Sequence, residues 1–467
     1  MIKRTTLIAL AITFCLAATA QESKPGRKYV APLERGVREN VAAWQDYKFG
    51  MFIHWGTYSE LGVIESWSLN PEPVSWMSRA RRERGLSYND YVELYENLYR
   101  VFNPVSFDPS KWADAAKYAG MKYLVFTTKH HDGFCMFDTQ QTDYKITSEV
   151  CPYHVNKNAN IAKALFEAFR SKGITPGAYF SITDWHHQDF WWDMYPPQNR
   201  FPNYPVKDHP EKWARFEDFV NAQVNELTSG EYGELSTLWF DLSVVSPDGS
   251  LKMDWDRILK TARDNQPNIM VVARGIGDVY ENYFTPEQVI PEHALDHPWE
   301  SCITMTYSWS YRPGLEYKSA KQMLDMLVQV VSRGGNLLLN VGPKPDGTLE
   351  ETAYERLREI GDWMQVNSEG IYGSRVYGSN QDGKVCFTQK DGYVYAYYLA
   401  EDGETEIPAQ ISFKGVKPAS RGAVSMLGAK GTLKWTESAD GGITVSVPAS
   451  IRRNKPCDHI WCLKIKI

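Results

Sequence analysis

The chain has 467 residues, 43% of them hydrophobic and 23% charged, with a formal charge of −6. That length exceeds one barrel-sized domain and leaves material for a second. No basic stripe interrupts the mildly acidic composition, which excludes nucleic acid as a partner. Aromatic residues reach 13%, with 16 Trp and 27 Tyr, and such flat rings either fill cores or face the apolar side of a sugar.

Residues 1–20 have the pattern of an export signal. Met1-Ile2-Lys3-Arg4 is basic, 7–17 is apolar, and Ala18-Thr19-Ala20 has the small-x-small form that is cleaved, here before Gln21. The apolar run is too short for a permanent membrane span, and no second long one follows. A soluble, exported protein is expected, periplasmic or secreted. Of the seven cysteines one, Cys15, belongs to this leader. The other six are too few for a disulfide framework, with Cys457 and Cys462 the candidate pair.

After a polar stretch, residues 48–55 (KFGMFIHW) predict a buried strand ending in His54. Residues 88–99 predict a helix, and Asp108-Pro-Ser opens another. Residues 122–131 (KYLVFTTKHH) climb through a β-branched run into a polar tip, His130-His131-Asp132, with Gly133 where a turn is needed. The apolar residues of 160–171 fall at helical spacing. Strand 175–182 opens into Thr183 and Asp184, and helix 212–228 leads to strand 235–241, whose tip is Asp241. Helix 254–264, strand 269–273 ending in Arg274, helix 319–331, strand 336–341 and helix 351–365 complete the series. Alternating buried strands and amphipathic helices predict parallel βαβ units. The absence of a glycine-rich phosphate loop after the first strand favours a (β/α)8-like TIM barrel over an open dinucleotide-binding sheet. Beyond about residue 376 the pattern changes to short strands with Asp-Gly turns, at 385–388, 393–398, 410–413, 443–447 and 460–467, predicting a C-terminal antiparallel β-sandwich. The expected division is a leader over 1–20, a catalytic barrel over 21–376 and a sandwich over 377–467.

In such barrels the side chains at the C-terminal strand ends line the active site. Here those tips carry His54, His130, His131, Tyr179, Asp241, Arg274 and, in the following loop, Glu287. Adjacent histidines are often no more than a hydrogen-bonded loop. Asp241 is different, because a carboxylate directly after Trp239 and Phe240 is costly to bury without a partner or a task. An Asp–Glu pair from neighbouring tips is what glycoside hydrolysis requires. A zinc hydrolase is the rival reading, but no HxH or HExxH spacing is present, and a serine nucleophile lacks its G-x-S-x-G elbow.

KFGMFIHWG (48–56), TTKHHDGF (127–134), LWFD (238–241), TPE (285–287), PWESC (298–302), RGGNLLLNVGPKPDG (333–347) and IYGSRV (371–376) stand in one order. In that order they resemble the retaining α-L-fucosidases, glycoside hydrolase family 29, over about residues 30–377. The resemblance implies a (β/α) barrel that removes terminal α-L-fucose from fucosylated glycans with no metal or organic cofactor. It implies Asp241 as nucleophile and Glu287 as acid/base. For the fucose pocket it implies His54, His130, His131, Tyr179, Trp239 and Arg274, with Trp309 beneath the fucose methyl. Glu65 and Trp67 correspond to the family's glutamate-tryptophan pair, a place for which Ser75-Trp76 competes. Leu242-Ser243 stands where many relatives have glycine. Glu292 and Glu300 are rivals for the acid/base role, Glu300 being better read as a buried structural acid, and Asp132 and Asp184 as loop braces. A glycosidase of this fold acting on another sugar such as galactose, or an inactive sugar-binding barrel, remains the alternative. Oligomeric state and fucosyl linkage have no sequence signal.

Overall fold

The computed structural model describes residues 28–439 and 441–467; the expected leader, 1–20, lies outside them. The apolar runs form seven parallel strands: β1 (Phe49–Ile53), β2 (Tyr123–Lys129), β3 (Thr175–Ser181), β4 (Thr237–Asp241), β5 (Met270–Ala273), β6 (Glu300–Thr304) and β7 (Asn336–Val341). Their order is β5-β4-β3-β2-β1-β7-β6. Nearly every residue of these strands is buried, as expected where helices cover the outer face of a parallel sheet.

The edges of this curled sheet are joined by an irregular segment, residues 274–299, that carries no strand pattern in the sequence. Ala273 N donates to Tyr280 O and Asn282 N to Val271 O, so the chain first runs back along β5. It then turns and climbs beside β6, where Glu300 N donates to Phe284 O, Cys302 N to Pro286 O and Gln288 N to Cys302 O. The parallel bridge Glu287–Cys302 sits at the top of this climb. Eight strand positions around the barrel are therefore filled, the sixth without regular pairing.

Helices α1 (Arg35–Tyr47), α2 (Ser75–Arg84), α3 (Tyr88–Glu96), α4 (Pro109–Tyr118), α5 (Ile161–Ser171), α6 (Pro210–Thr228), α7 (Trp255–Asn265), α8 (Ala320–Ser332) and α9 (Glu351–Asn367) accompany the strands. Their starts follow local chemistry. Asp108 accepts from the amides of Ser110 and Lys111 ahead of Pro109, and Ser319 with Gln322 makes a reciprocal capping box. The polar stretch before β1 is in fact α1. Its Val37, Val41 and Trp44 pack with Phe52, Tyr179, Trp239, Tyr283 and Leu338 of the barrel interior, and Trp44 stacks on Tyr283 with centroids 4.0 Å apart. Each such fully buried side chain contributes roughly 1.5–3 kcal/mol, enough to hold α1 across the N-terminal end of the barrel and leave the other end for chemistry.

The C-terminal region contains β8 (Arg375–Asp382), β9 (Val385–Lys390), β10 (Tyr393–Leu399), β11 (Gln410–Phe413), β12 (Val424–Met426), β13 (Lys434–Glu437), β14 (Ile443–Ser446) and β15 (Ile460–Lys466). They form antiparallel sheets of order β12-β15-β10-β9-β8 and β11-β14-β13 around a separate apolar core that includes Phe387, Phe413, Val445 and Trp461. Cys457 and Cys462 are both free thiols, which corrects the expected pairing. Cys457 Sγ instead accepts from Asn367 Nδ2 at 3.4 Å and donates to Ile460 O at 3.3 Å. No helix among the described residues is long and apolar enough to cross a membrane.

Candidate active site

The strand tips enclose a cavity of about 570 Å³, lined in part by His54, Glu65, Trp67, His130, Tyr179, Trp239, Asp241, Arg274, Glu287 and Trp309. At its centre one guanidinium joins the two candidate carboxylates. Arg274 Nη1 donates to Asp241 Oδ1 at 2.8 Å and Nη2 to Glu287 Oε2 at 2.8 Å, while Nε donates to Thr285 Oγ1 at 3.0 Å. The same guanidinium lies 4.7 Å from the Trp239 ring. Asp241 also accepts from Tyr179 Oη at 2.9 Å and from Leu242 N at 2.9 Å. Burial opposes its ionisation, but Arg274 foremost, then His131 and these two donors, outweigh it and hold the carboxyl down at about 2. The expectation that a buried acid at this tip has partners is met four times over.

The three histidines are buried and neutral. Burial pushes His54 down to about 3 and His131 to about 4, and moves His130 well below the ordinary imidazole value. Their second nitrogens fix the tautomers. Asn340 Nδ2 donates to Trp309 O, which leaves Asn340 Oδ1 to accept from His54 Nδ1 at 2.7 Å. Ser181 Oγ donates to Thr183 O at 2.6 Å and so accepts from His131 Nδ1 at 2.8 Å. His131 Nε2 is thus turned toward Asp241 Oδ2, 4.0 Å away. His130 Nδ1 hydrogen-bonds Ser66 Oγ. The loop bearing this pair is braced from below. Asp132 accepts from Tyr95 Oη and Phe134 N, and Asp184 takes Lys129 Nζ at 3.1 Å. Gly133, at φ +82°, lies so close that a Cβ there would meet Asp184 Oδ1 at 2.2 Å.

A family profile described as Alpha-L-fucosidase matches residues 15–369, and one described as Alpha-L-fucosidase C-terminal domain matches residues 379–466. The chain belongs to the α-L-fucosidase family. It is 28% identical to the tissue alpha-L-fucosidase of Homo sapiens over 98% of this chain and 96% of that one. Among solved structures it resembles alpha-L-fucosidase isoenzyme 1 from Paenibacillus thiaminolyticus (TM-score 0.73, 30% identity, 92% of this chain and 99% of that chain). It also resembles Thermotoga maritima alpha-fucosidase in complex with a mechanism-based inhibitor (TM-score 0.72, 26% identity, 94% and 100%).

In this fucosidase the competition between the two glutamate-tryptophan alignments resolves in space. Glu65 and Trp67 line the cavity, whereas Trp76 does not and is 37% exposed. Glu65 has a strained φ of +21°, and its Oε1 accepts from Ser310 N at 2.7 Å. Its Oε2 is buried without a hydrogen-bond partner among the described residues. Burial raises its carboxyl to about 7 against the pull of Ser310. Trp67 meets His131 edge-on at 5.1 Å. Trp309 lines the wall 5.0 Å from the His54 ring. Glu292 is exposed and outside the cavity. Glu300 is fully buried beneath it and accepts from Tyr123 Oη at 2.6 Å and Trp239 Nε1 at 3.2 Å.

Sequence reasoning passed over Ser66, Ser181 and Asn340, which orient the histidines. Asn340 had a signal, being a polar residue inside the apolar run NLLLNV. It also passed over Arg200, Phe201, Val244, Ser246 and Pro247, which line the cavity from segments with no periodicity to read, and it noted Leu242-Ser243 only as a departure from glycine. Among the described residues no cluster of three or more His, Cys, Asp or Glu side chains is arranged to hold a metal ion.

Proposed function

We propose that this chain hydrolyses terminal α-L-fucose from fucosylated glycans by a retaining double displacement, with Asp241 as nucleophile and Glu287 as acid/base. The observation that carries this reading is the single guanidinium of Arg274 spanning both carboxylates. That fork ties both carboxylates to one cation at the strand tips, the pairing that a double displacement by two carboxylates uses.

Asp241, ionised at all but strongly acidic pH, attacks the anomeric carbon. Glu287, whose side chain is 39% exposed at the mouth, protonates the departing oxygen and then deprotonates the water that hydrolyses the glycosyl ester. His54, with Nδ1 committed to Asn340, offers Nε2 as an acceptor to a sugar hydroxyl, and His131, with Nδ1 on Ser181, does the same. His130 and Glu65 complete a polar ring, and Trp67 flanks it. Trp309 with Phe52 supplies an apolar wall for the 6-deoxy methyl. Such a site rejects misplaced hydroxyls through unpaired hydrogen bonds far more strongly than through its apolar wall. The leader at residues 1–20 supports export to the periplasm or beyond, testable by fractionating the expressing cells.

The test uses protein lacking residues 1–20, a panel of fucosylated oligosaccharides of defined linkage, and Asp241→Asn alongside. Proton NMR of the first sugar released should show α-fucose from the wild type and nothing from the variant. Initial release of β-fucose would overturn retention, and silence on every fucoside would overturn the substrate.

A further inference from the structure

The cavity is wider than a fucosyl residue needs. At about 570 Å³ it falls within the roughly 300–1,000 Å³ of pockets that bury ligands of several rings or groups. Its polar ring occupies one part, and a second wall comes from two loops that contribute nothing to that ring. Arg200 and Phe201 belong to the loop after β3; Leu242, Val244 and Pro247 belong to the loop after β4.

This second wall is built, not incidental. The carbonyls of Arg200 and Phe201 accept from the indole nitrogens of Trp185 at 3.2 Å and Trp191 at 3.0 Å, and Arg200 N donates to Glu72 Oε1 at 3.2 Å. The Arg200 side chain, 40% exposed, has Nε 3.8 Å from Glu72 Oε1. Its Cζ lies 5.8 Å from the Trp67 ring and 5.5 Å from that of Phe201. Its Nη atoms have no hydrogen-bond partner among the described residues. The same cavity is lined by Leu242 at φ +46°, a left-handed conformation that a leucine rarely adopts. The turn aims Leu242 N back at Asp241 Oδ1, a task glycine would perform without strain. What leucine adds is a half-buried apolar side chain beside the nucleophile. Strain retained next to a reacting group points to a use for that side chain.

We propose that Arg200 and Leu242 form the subsite for the sugar to which fucose is attached, and that they select a neutral pyranose there. The open edge of the Arg200 guanidinium donates to adjacent hydroxyl oxygens of that sugar, and Leu242 with Val244 covers its apolar face. An acidic sugar is disfavoured, because Glu72 already shares the Arg200 charge and the lining residue Ser246 is hydrogen-bonded to the carboxylate of Asp248 at 3.0 Å.

This inference rests on the fucosidase reading, and the experiment separates the two. kcat/KM is measured for wild type, Arg200→Ala, Arg200→Lys and Leu242→Gly on α-L-fucosyl fluoride, which has no second sugar, and on neutral and sulfated fucosyl disaccharides. Arg200→Ala should lose at least tenfold more on neutral disaccharides than on the fluoride. Arg200→Lys should remain impaired on them, because a point charge does not replace a planar pair of donors. Leu242→Gly keeps the backbone amide and should alter the ranking of linkages. Equal losses on fluoride and disaccharide, full recovery by lysine, or a wild-type preference for the sulfated substrate would overturn the subsite. Failure of the wild type to turn over the fluoride would overturn the fucosidase reading instead.

Discussion

Replacing Arg274 by glutamine tests the bridge at its most exposed assumption, that one cation serves both carboxylates. The change removes a 2.8 Å bond to Asp241 and a 2.8 Å bond to Glu287. It keeps the bulk of the stem and leaves Tyr179 Oη and Leu242 N on Asp241. A hydrogen bond to a charged group is worth about 1.5–3 kcal/mol net, and about 1.4 kcal/mol is one pKa unit. The Asp241 carboxyl, held at about 2 in the wild type, should therefore rise by roughly one to two units. The sign follows directly. The nucleophile must be ionised, so its ionisation is lost at a higher pH in the variant, and the acid limb of kcat/KM moves up by that amount. At neutral pH Asp241 stays ionised in both proteins, so any loss there reports the missing field and positioning, on the order of 10²–10³-fold. The assay is kcat/KM on α-L-fucosyl fluoride from about pH 3 to pH 8, with and without added guanidinium ion, which should partly restore the rate. An acid limb that does not move, or a neutral-pH loss below about tenfold, would refute the bridging role.

Lys129→Met leaves Asp184 buried against only the backbone amides of His186 and His187. It should cost about 3–5 kcal/mol in denaturant unfolding, most of it recovered by adding Asp184→Asn. Asn340→Asp places a charge beside His54 and removes the donor to Trp309 O. The imidazole should protonate more readily, with KM on fucosides rising as pH falls and kcat/KM lower by about tenfold at neutral pH. Burial raises Glu300 from an ordinary 4.5 to about 7, despite the bonds from Tyr123 and Trp239. The folded state thus binds its proton more tightly than the unfolded chain, and the contribution is full below about 4.5 and lost as pH rises toward 7. Melting temperature should accordingly fall more steeply between those values in the wild type than in Glu300→Gln.

Much of the barrel was legible because burial on both faces of a parallel strand leaves a plain apolar run, and the acid ending such a run is conspicuous. Asp241 and the histidine pair at 130–131 were visible for that reason. Glu287 stood out only as a loop acid after the fifth strand, and its acid/base role came from the family resemblance, because its backbone pairs irregularly and TPE has no period. Helix α1 was missed although Val37, Val41 and Trp44 stand at helical spacing; four charged residues in Arg35–Tyr47 disguised it as a polar leader. Arg200, and the joint role of Arg200 and Leu242, were out of reach for a different reason. Their significance lies in a cavity made by two loops far apart in sequence, and no local pattern encodes that meeting.

The segment that closes the barrel has a consequence for how this protein fails. Because the residues that lift Glu287 are the same ones that tie β5 to β6, the proton donor cannot fray away while the barrel stays shut. Loss of activity on heating and loss of barrel structure should then be one event with one rate, and the amides of Asn282, Phe284 and Cys302 should exchange hydrogen only through that opening.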